Sequence, residues 1–91
     1  MKIDDFKGLL GQTFIIDFEE KRVEAELNEV KELGKDENTG FSLLFETKGE
    51  STIYAQKMYQ LYWPEGEKSC SIFLVPVRSG ETGTSYEAIF N

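Results

Sequence analysis

Apolar and polar residues alternate along most of the chain, with a period close to two. From Arg22 the pattern places Val23, Ala25 and Leu27 on one side and Glu24, Glu26 and Asn28 on the other. Such alternation predicts a half-buried strand with an acidic outer face. Glu, Ala, Leu and Lys are good helix formers and compete for this stretch, but the strict alternation decides for a strand. After Leu27 the phase changes, with Val30 and Leu33 at helical spacing from it, and this predicts a bulge or bend. Thr13 to Phe18 is rich in β-branched and aromatic residues, the composition of a strand. Phe41 to Thr47 sets Phe41, Leu43 and Phe45 on one face. Thr52 to Gln56 reads as extended. Met58 to Trp63 groups Tyr59, Leu61 and Trp63, and Ser85 to Phe90 alternates Tyr86, Ala88 and Phe90 against Glu87 and Ile89. Ser71 to Val77 is apolar on both faces and predicts a central or doubly covered strand. Pro76 is then expected near its end or at an unpaired position, since proline donates no ladder hydrogen bond.

Only the first ten residues break this period. Ile3, Phe6, Leu9 and Leu10 fall at helical spacing, and Asp4 and Asp5 suit the positive end of a helix dipole. A short helix over 3–10, stopped near Gly11, is expected. Its apolar side would cover one open end of a barrel. Turn clusters at Glu19 to Lys21, Gly34 to Gly40, Lys48 to Ser51, Pro64 to Glu67 and Arg78 to Thr84 separate the strands. About six short strands at this spacing mark a mainly β fold, a small antiparallel barrel or rolled sheet with a short N-terminal helix. The 91 residues make one domain, 1–91, because chains divide only well beyond this length. Two-domain enzymes, Rossmann domains and TIM barrels are excluded by size.

Charge narrows the partners. Seventeen acids oppose ten bases, for a net charge of −7. Nucleic-acid binding runs on cations that displace counterions, so a nucleic-acid partner is not expected, nor is an anionic membrane surface. No apolar run reaches the roughly 20 residues that span a bilayer, and acids stand where a signal peptide has its apolar segment. The expectation is a cytoplasmic protein.

The residues for catalysis are few. There is no histidine and only one cysteine, Cys70. A nucleophilic cysteine needs a neighbouring base or cation, so Cys70 is read as a buried, inert thiol with no disulfide partner. The pairs Glu24/Glu26 and Glu29/Glu32 could be imagined as acid and base, but a general acid requires burial and the alternation turns them to water. Asp36-Glu37-Asn38-Thr39-Gly40 is a fragment of a calcium loop with its glycine one position early and a donor missing. It reads as an ordinary turn. Gly80-Glu81-Thr82-Gly83-Thr84 lacks the lysine of a phosphate loop. Neither an enzyme nor a cofactor or metal site is expected.

One resemblance covers nearly the whole chain. It rests on Phe41-Ser42-Leu43-Leu44-Phe45, then Gln56, Tyr59, Leu61, Pro64 and Gly66. Phe73-Leu74-Val75-Pro76-Val77 and the closing Tyr86-Glu87-Ala88-Ile89-Phe90-Asn91 complete it, with Phe6, Leu10-Gly11 and Thr13-Phe14 upstream. This pattern resembles an uncharacterised group of small bacterial β-rich proteins, often found beside tail-collar-type fibre proteins of phage origin. That group often carries histidine before the proline, where this chain has Trp63, so no role of that histidine transfers. The resemblance implies a fold and a neighbourhood rather than a reaction.

The function expected from these observations is a non-enzymatic interaction or assembly module, accessory to a tail-collar-type fibre. Tyr54, Tyr62 and Trp63 would present apolar area to the protein partner, since Tyr and Trp are enriched at interfaces. A homo-oligomer is compatible with this reading. The alternative is an acidic inhibitor or immunity-type protein in which Glu24, Glu26, Glu29 and Glu32 block a basic site. A small-ligand barrel is disfavoured, because about six strands filled by phenylalanines leave little lumen.

Overall fold

The computed structural model describes residues 2–34 and 40–90. A four-residue helix, α1 (Asp4–Lys7), precedes six strands: β1 (Thr13–Asp17), β2 (Arg22–Glu32), β3 (Phe41–Thr47), β4 (Lys57–Tyr62), β5 (Ser69–Gly80) and β6 (Gly83–Phe90). They form a closed antiparallel barrel in the order β1-β2-β3-β6-β5-β4. The ring closes where β4 meets β1, through Ile15↔Tyr62, Ile16↔Leu61 and Asp17↔Gln60. The expected small antiparallel barrel with a short N-terminal helix is the fold. The helix is shorter than the expected span 3–10. It ends at Lys7, with Gly8 as its C-cap, and turns occupy 8–11. Gly11 follows at φ +85°, a conformation that glycine adopts without a side-chain clash.

The period-two pattern becomes the inside and outside of the barrel. Val23, Ala25 and Leu27 of β2, Phe41, Leu43 and Phe45 of β3, and Tyr59 and Leu61 of β4 face inward and are buried. The phase change in β2 is a bulge: Leu27 pairs with Phe45, but the next pair is Glu29↔Leu44. The extra residue, Asn28, lets Val30 take an inward position opposite Leu43.

Both barrel ends are plugged by aromatic rings. At one end Phe6 of α1 is fully buried and lies 5.1 Å from Trp63, 6.0 Å from Phe41 and 6.1 Å from Phe90, centroid to centroid. Phe14 and Phe45 meet edge to face just below. The helix thus acts as the expected lid, although Leu10 stays exposed. At the other end the segment 50–56, of which Thr52 to Gln56 reads from the sequence as extended, joins no ladder and crosses the mouth as a strap. Its Tyr54 ring stacks on Phe18 at 4.1 Å and 9°, and the Tyr54 N–H donates to the hydroxyl of the buried Tyr86 at 2.9 Å. Offset and stacked ring pairs of this kind add about 0.5–1.5 kcal/mol each beyond their area burial.

β5 departs from expectation in two ways. It is not covered on both faces, since Phe73 and Val77 are exposed. Pro76 lies inside the strand rather than near its end. It is in register with Tyr86, and the pairing to β6 shifts between Pro76 and Arg78. A bulge tolerates the missing N–H. The hairpin that follows is tight: Gly80 pairs with Gly83 across a two-residue turn, where the sequence reads as a seven-residue loop. The calcium-loop fragment, up to Thr39, lies outside the described residues.

Candidate functional site

The three aromatic residues expected at an interface do not form one surface. Trp63 is 3% exposed and Tyr54 7%, and they occupy opposite ends of the barrel. Trp63 continues the inward series of Tyr59 and Leu61, and its indole N–H donates to the Asp5 carbonyl at 3.4 Å. Lys68 sits 4.8 Å above its ring and 3.4 Å from the Asp5 carboxylate. Tyr54 is held in the strap, its hydroxyl 3.3 Å from Glu50. Only Tyr62 points outward. It is half-buried, with the Arg22 guanidinium 4.7 Å from its ring centroid.

The four expected acids separate less completely. Glu24 and Glu26 lie on the outer face of β2, and the bulge at Asn28 turns Glu29 outward with them. Glu32 stands at the strand's end, 3.1 Å from Lys7. The sequence reading missed two further carboxylates. Glu46 of β3 is directly opposite Glu26, and Glu87 of β6 flanks the same Leu44 that faces Glu29. Like charges directly across a ladder are destabilising. Here Asn28 donates to Glu46 at 2.8 Å and Lys48 approaches Glu26 at 4.0 Å. Alternation against Phe45 and Tyr86 was the signal that could have found both acids.

The opposite wall is different in kind. The outward positions of β4 are Met58, Gln60 and Tyr62. Along β5 they are Ser69, Ser71, Phe73 and Val75, with Val77 in the bulge. None is charged, in a chain that is 30% charged. Met58 pairs directly with Phe73. Continuing the Val75↔Glu87 register by two residues brings Ile89 of β6 to the far side of Phe73. Met58, Phe73, Val77 and Ile89 are 52, 46, 51 and 56% exposed. Beyond Val77 the exposed Ile53 of the strap borders the same shallow depression, beside Arg78. In the ring order β5 stands across from β2 and β4 from β3, so an uncharged apolar wall backs onto an acidic one. The apolar run on both faces of Ser71 to Val77 was the visible signal. It reads as double coverage until the fold shows that, among the described residues, none covers the outer side.

Groups with perturbed ionisation belong to structural contacts. Glu50 is pulled down to about 2, chiefly by Lys21 at 2.9 Å and then by the Thr52 N–H. Burial raises the phenols of Tyr59 and Tyr86 and the thiol of the half-buried Cys70. Such a thiol is a poor nucleophile at neutral pH. Lys57 is raised by its ion pair with Glu19. Among the described residues no group of three or more His, Cys, Asp or Glu side chains is arranged to hold a metal ion. No helix among them is long and apolar enough to cross a membrane.

The family described as Domain of unknown function (DUF6916) matches residues 1–90. No curated protein and no solved structure matches the chain.

Proposed function

We propose, from the premise that this chain belongs to the DUF6916 family, that it is a non-enzymatic assembly module that docks a protein partner through the outer wall of β4 and β5. One observation carries the reading: Met58, Phe73 and Ile89 stand side by side on three strands, about half exposed, outside a core that is already complete. The largest apolar patch on a monomer is often functional. Loss of charge with enrichment in aromatic residues and Met marks the centre of interfaces. Of the aromatic residues expected at the interface, Tyr62 belongs to this wall, while Trp63 and Tyr54 are buried at the two ends of the barrel. The candidate partner supplied by the sequence resemblance is a tail-collar-type fibre protein of phage origin, met in a bacterial cytoplasm.

The acidic wall favours a second reading, an inhibitor of a basic site. The fold keeps Glu26 opposite Glu46, with Glu29 and Glu87 nearby, despite their mutual repulsion. Affinity capture with tagged protein separates the two. A partner retained in high salt and lost with Phe73→Asp supports docking through β4 and β5. A partner released by salt and lost with Glu26→Lys/Glu46→Lys supports the inhibitor. A folded bait that stays single in solution and retains nothing overturns both.

A further inference from the structure

We propose that the partner of the uncharged wall is a second copy of this chain, so that two barrels meet across β4 and β5. The inference rests on the reading of that wall as a docking surface and names its occupant. Charge is the first argument. A chain with net charge −7 can approach its own copy closely only where carboxylates are absent. Two carboxylates flank the wall, Asp17 beside Gln60 and Glu87 beside Val75, and Asp17 is held by Arg22 at 3.5 Å. Glu24, Glu26, Glu29 and Glu46 stand on β2 and β3, directly across the ring from β5 and β4. When two uncharged walls meet, both acidic walls face away. The chain measures 22 Å in its narrowest direction, well beyond a Debye length of about 8 Å at physiological salt. Repulsion between the two acidic walls is therefore screened.

Composition of the wall is the second argument. Serines and a glutamine border the apolar centre, and Ser71 Oγ and Gln60 already bond each other across β4 and β5 at 3.2 Å. None of the outward positions of β4 and β5 from Met58 to Val75 carries a charge, so the centre of such a contact buries none, and Glu87 stays at its rim. A neutral wall also offers no charge pattern for selecting a strongly basic or acidic partner, whereas it complements itself. In a two-fold dimer each patch meets the same patch on the other chain.

Size is the third. Met58, Phe73, Val77 and Ile89 expose roughly 80–100 Å² each at these fractions. With Tyr62, Val75 and the polar border, the wall reaches the order of 500 Å² per partner, the size of a weak, concentration-dependent contact rather than the roughly 800 Å² per partner of a standard interface. The interface is thus a modest one, with Phe73 near its centre and expected to dominate its energy.

Light scattering after size exclusion, on the full chain from about 5 to 300 μM, tests this. The expected mass rises from 10.4 kDa towards twice that value with concentration, and 0.5 M NaCl does not reverse the rise. Phe73→Glu and, separately, Ile89→Glu should return the chain to the single mass at every concentration. Both side chains point outward, so each variant should keep the wild-type circular dichroism. Glu24→Lys on the opposite wall should leave the dimer unchanged. A wild-type chain that stays at 10.4 kDa at 300 μM overturns the inference. So does a dimer that persists in both glutamate variants. If the chain stays single while Phe73→Asp still abolishes capture of another protein, the second copy is excluded and the docking role stands.

Discussion

Gly83→Ala tests the tightest contact in the fold. A Cβ built on Gly83 falls 2.0 Å from the Thr47 carbonyl oxygen and 3.1 Å from its carbon. The obstacle is backbone, so no side-chain rotation relieves it. Thr47 is also fixed in place. Its hydroxyl accepts the Thr84 N–H at 2.9 Å and lies 3.3 Å from the carbonyls of both Thr84 and Glu50. Two residues beyond Thr47, the Gly49 N–H donates to the Thr82 carbonyl at 2.9 Å. Overpacking a rigid site costs about 1–3 kcal/mol, and each strained hydrogen bond adds about 1 kcal/mol. Gly→Ala returns about 0.4–1 kcal/mol by restricting the unfolded chain. The net expectation is a loss of about 3–4 kcal/mol, against a total on the order of 5–13 kcal/mol for this length. At about 4–8 °C per kcal/mol, the midpoint should fall by at least about 12 °C. Urea and thermal unfolding followed by the fluorescence of Trp63, the single tryptophan, measure it. Gly80→Ala is the control, because its nearest neighbour would be 4.0 Å away and its stability should change by less than about 1 kcal/mol. A Gly83→Ala protein within 1 kcal/mol of wild type, or no worse than Gly80→Ala, would refute the reasoning.

Two more predictions concern the strap. Tyr86→Phe removes the acceptor of the buried Tyr54 N–H and should cost about 1–3 kcal/mol, with faster hydrogen exchange at the Tyr54 amide; unchanged exchange there would show that the bond does not hold the strap. Glu50 ionises near 2 in the fold, against 4.5 ordinarily, so the stability from its pairing with Lys21 is complete above pH 4.5 and is lost as pH falls towards 2. The gap in urea midpoint between wild type and Glu50→Gln should therefore close over that window, and a gap that stays constant would place the effect elsewhere.

Which positions face inward was legible because period two is a local property. Val23, Ala25 and Leu27, and later Tyr59, Leu61 and Trp63, declare a buried side by spacing alone. The bulge at Asn28 was legible for the same reason, as a change of phase. What lies outside a strand is not local. Ser71 to Val77 carries apolar residues on both sides, and only the folded barrel shows that no described residue covers Phe73 and Val77. The strap was legible only as an extended stretch, because what holds Thr52 to Gln56 is not a neighbouring ladder but Tyr86, 32 residues beyond Tyr54. The exposure expected of Trp63 failed on a similar point. Interface enrichment speaks for tryptophan in general, while the lid formed by Phe6 comes from the far end of the chain. The acidic face was half legible: Glu24, Glu26 and Glu29 follow from one strand, but Glu46 joins them only once the register of β2 and β3 is known.

The seam that closes the ring has a kinetic meaning. β1 and β4 share three register pairs, whereas β2 and β3 share seven and β4 and β5 six. The residues it joins, such as Ile15 and Tyr62, are far apart in the chain, so the loop-closure entropy is met late in folding. Closure is then expected to follow the β2–β3 and β4–β5 hairpins, as is the β3–β6 pairing, which joins residues equally distant in the chain. In the native state the same seam is the first to breathe, because it has the fewest ladder bonds to lose. While it is open, the edges of β1 and β4 are free to pair with the same edges of a neighbouring molecule, which makes this short seam the natural point of strand exchange during folding at high concentration.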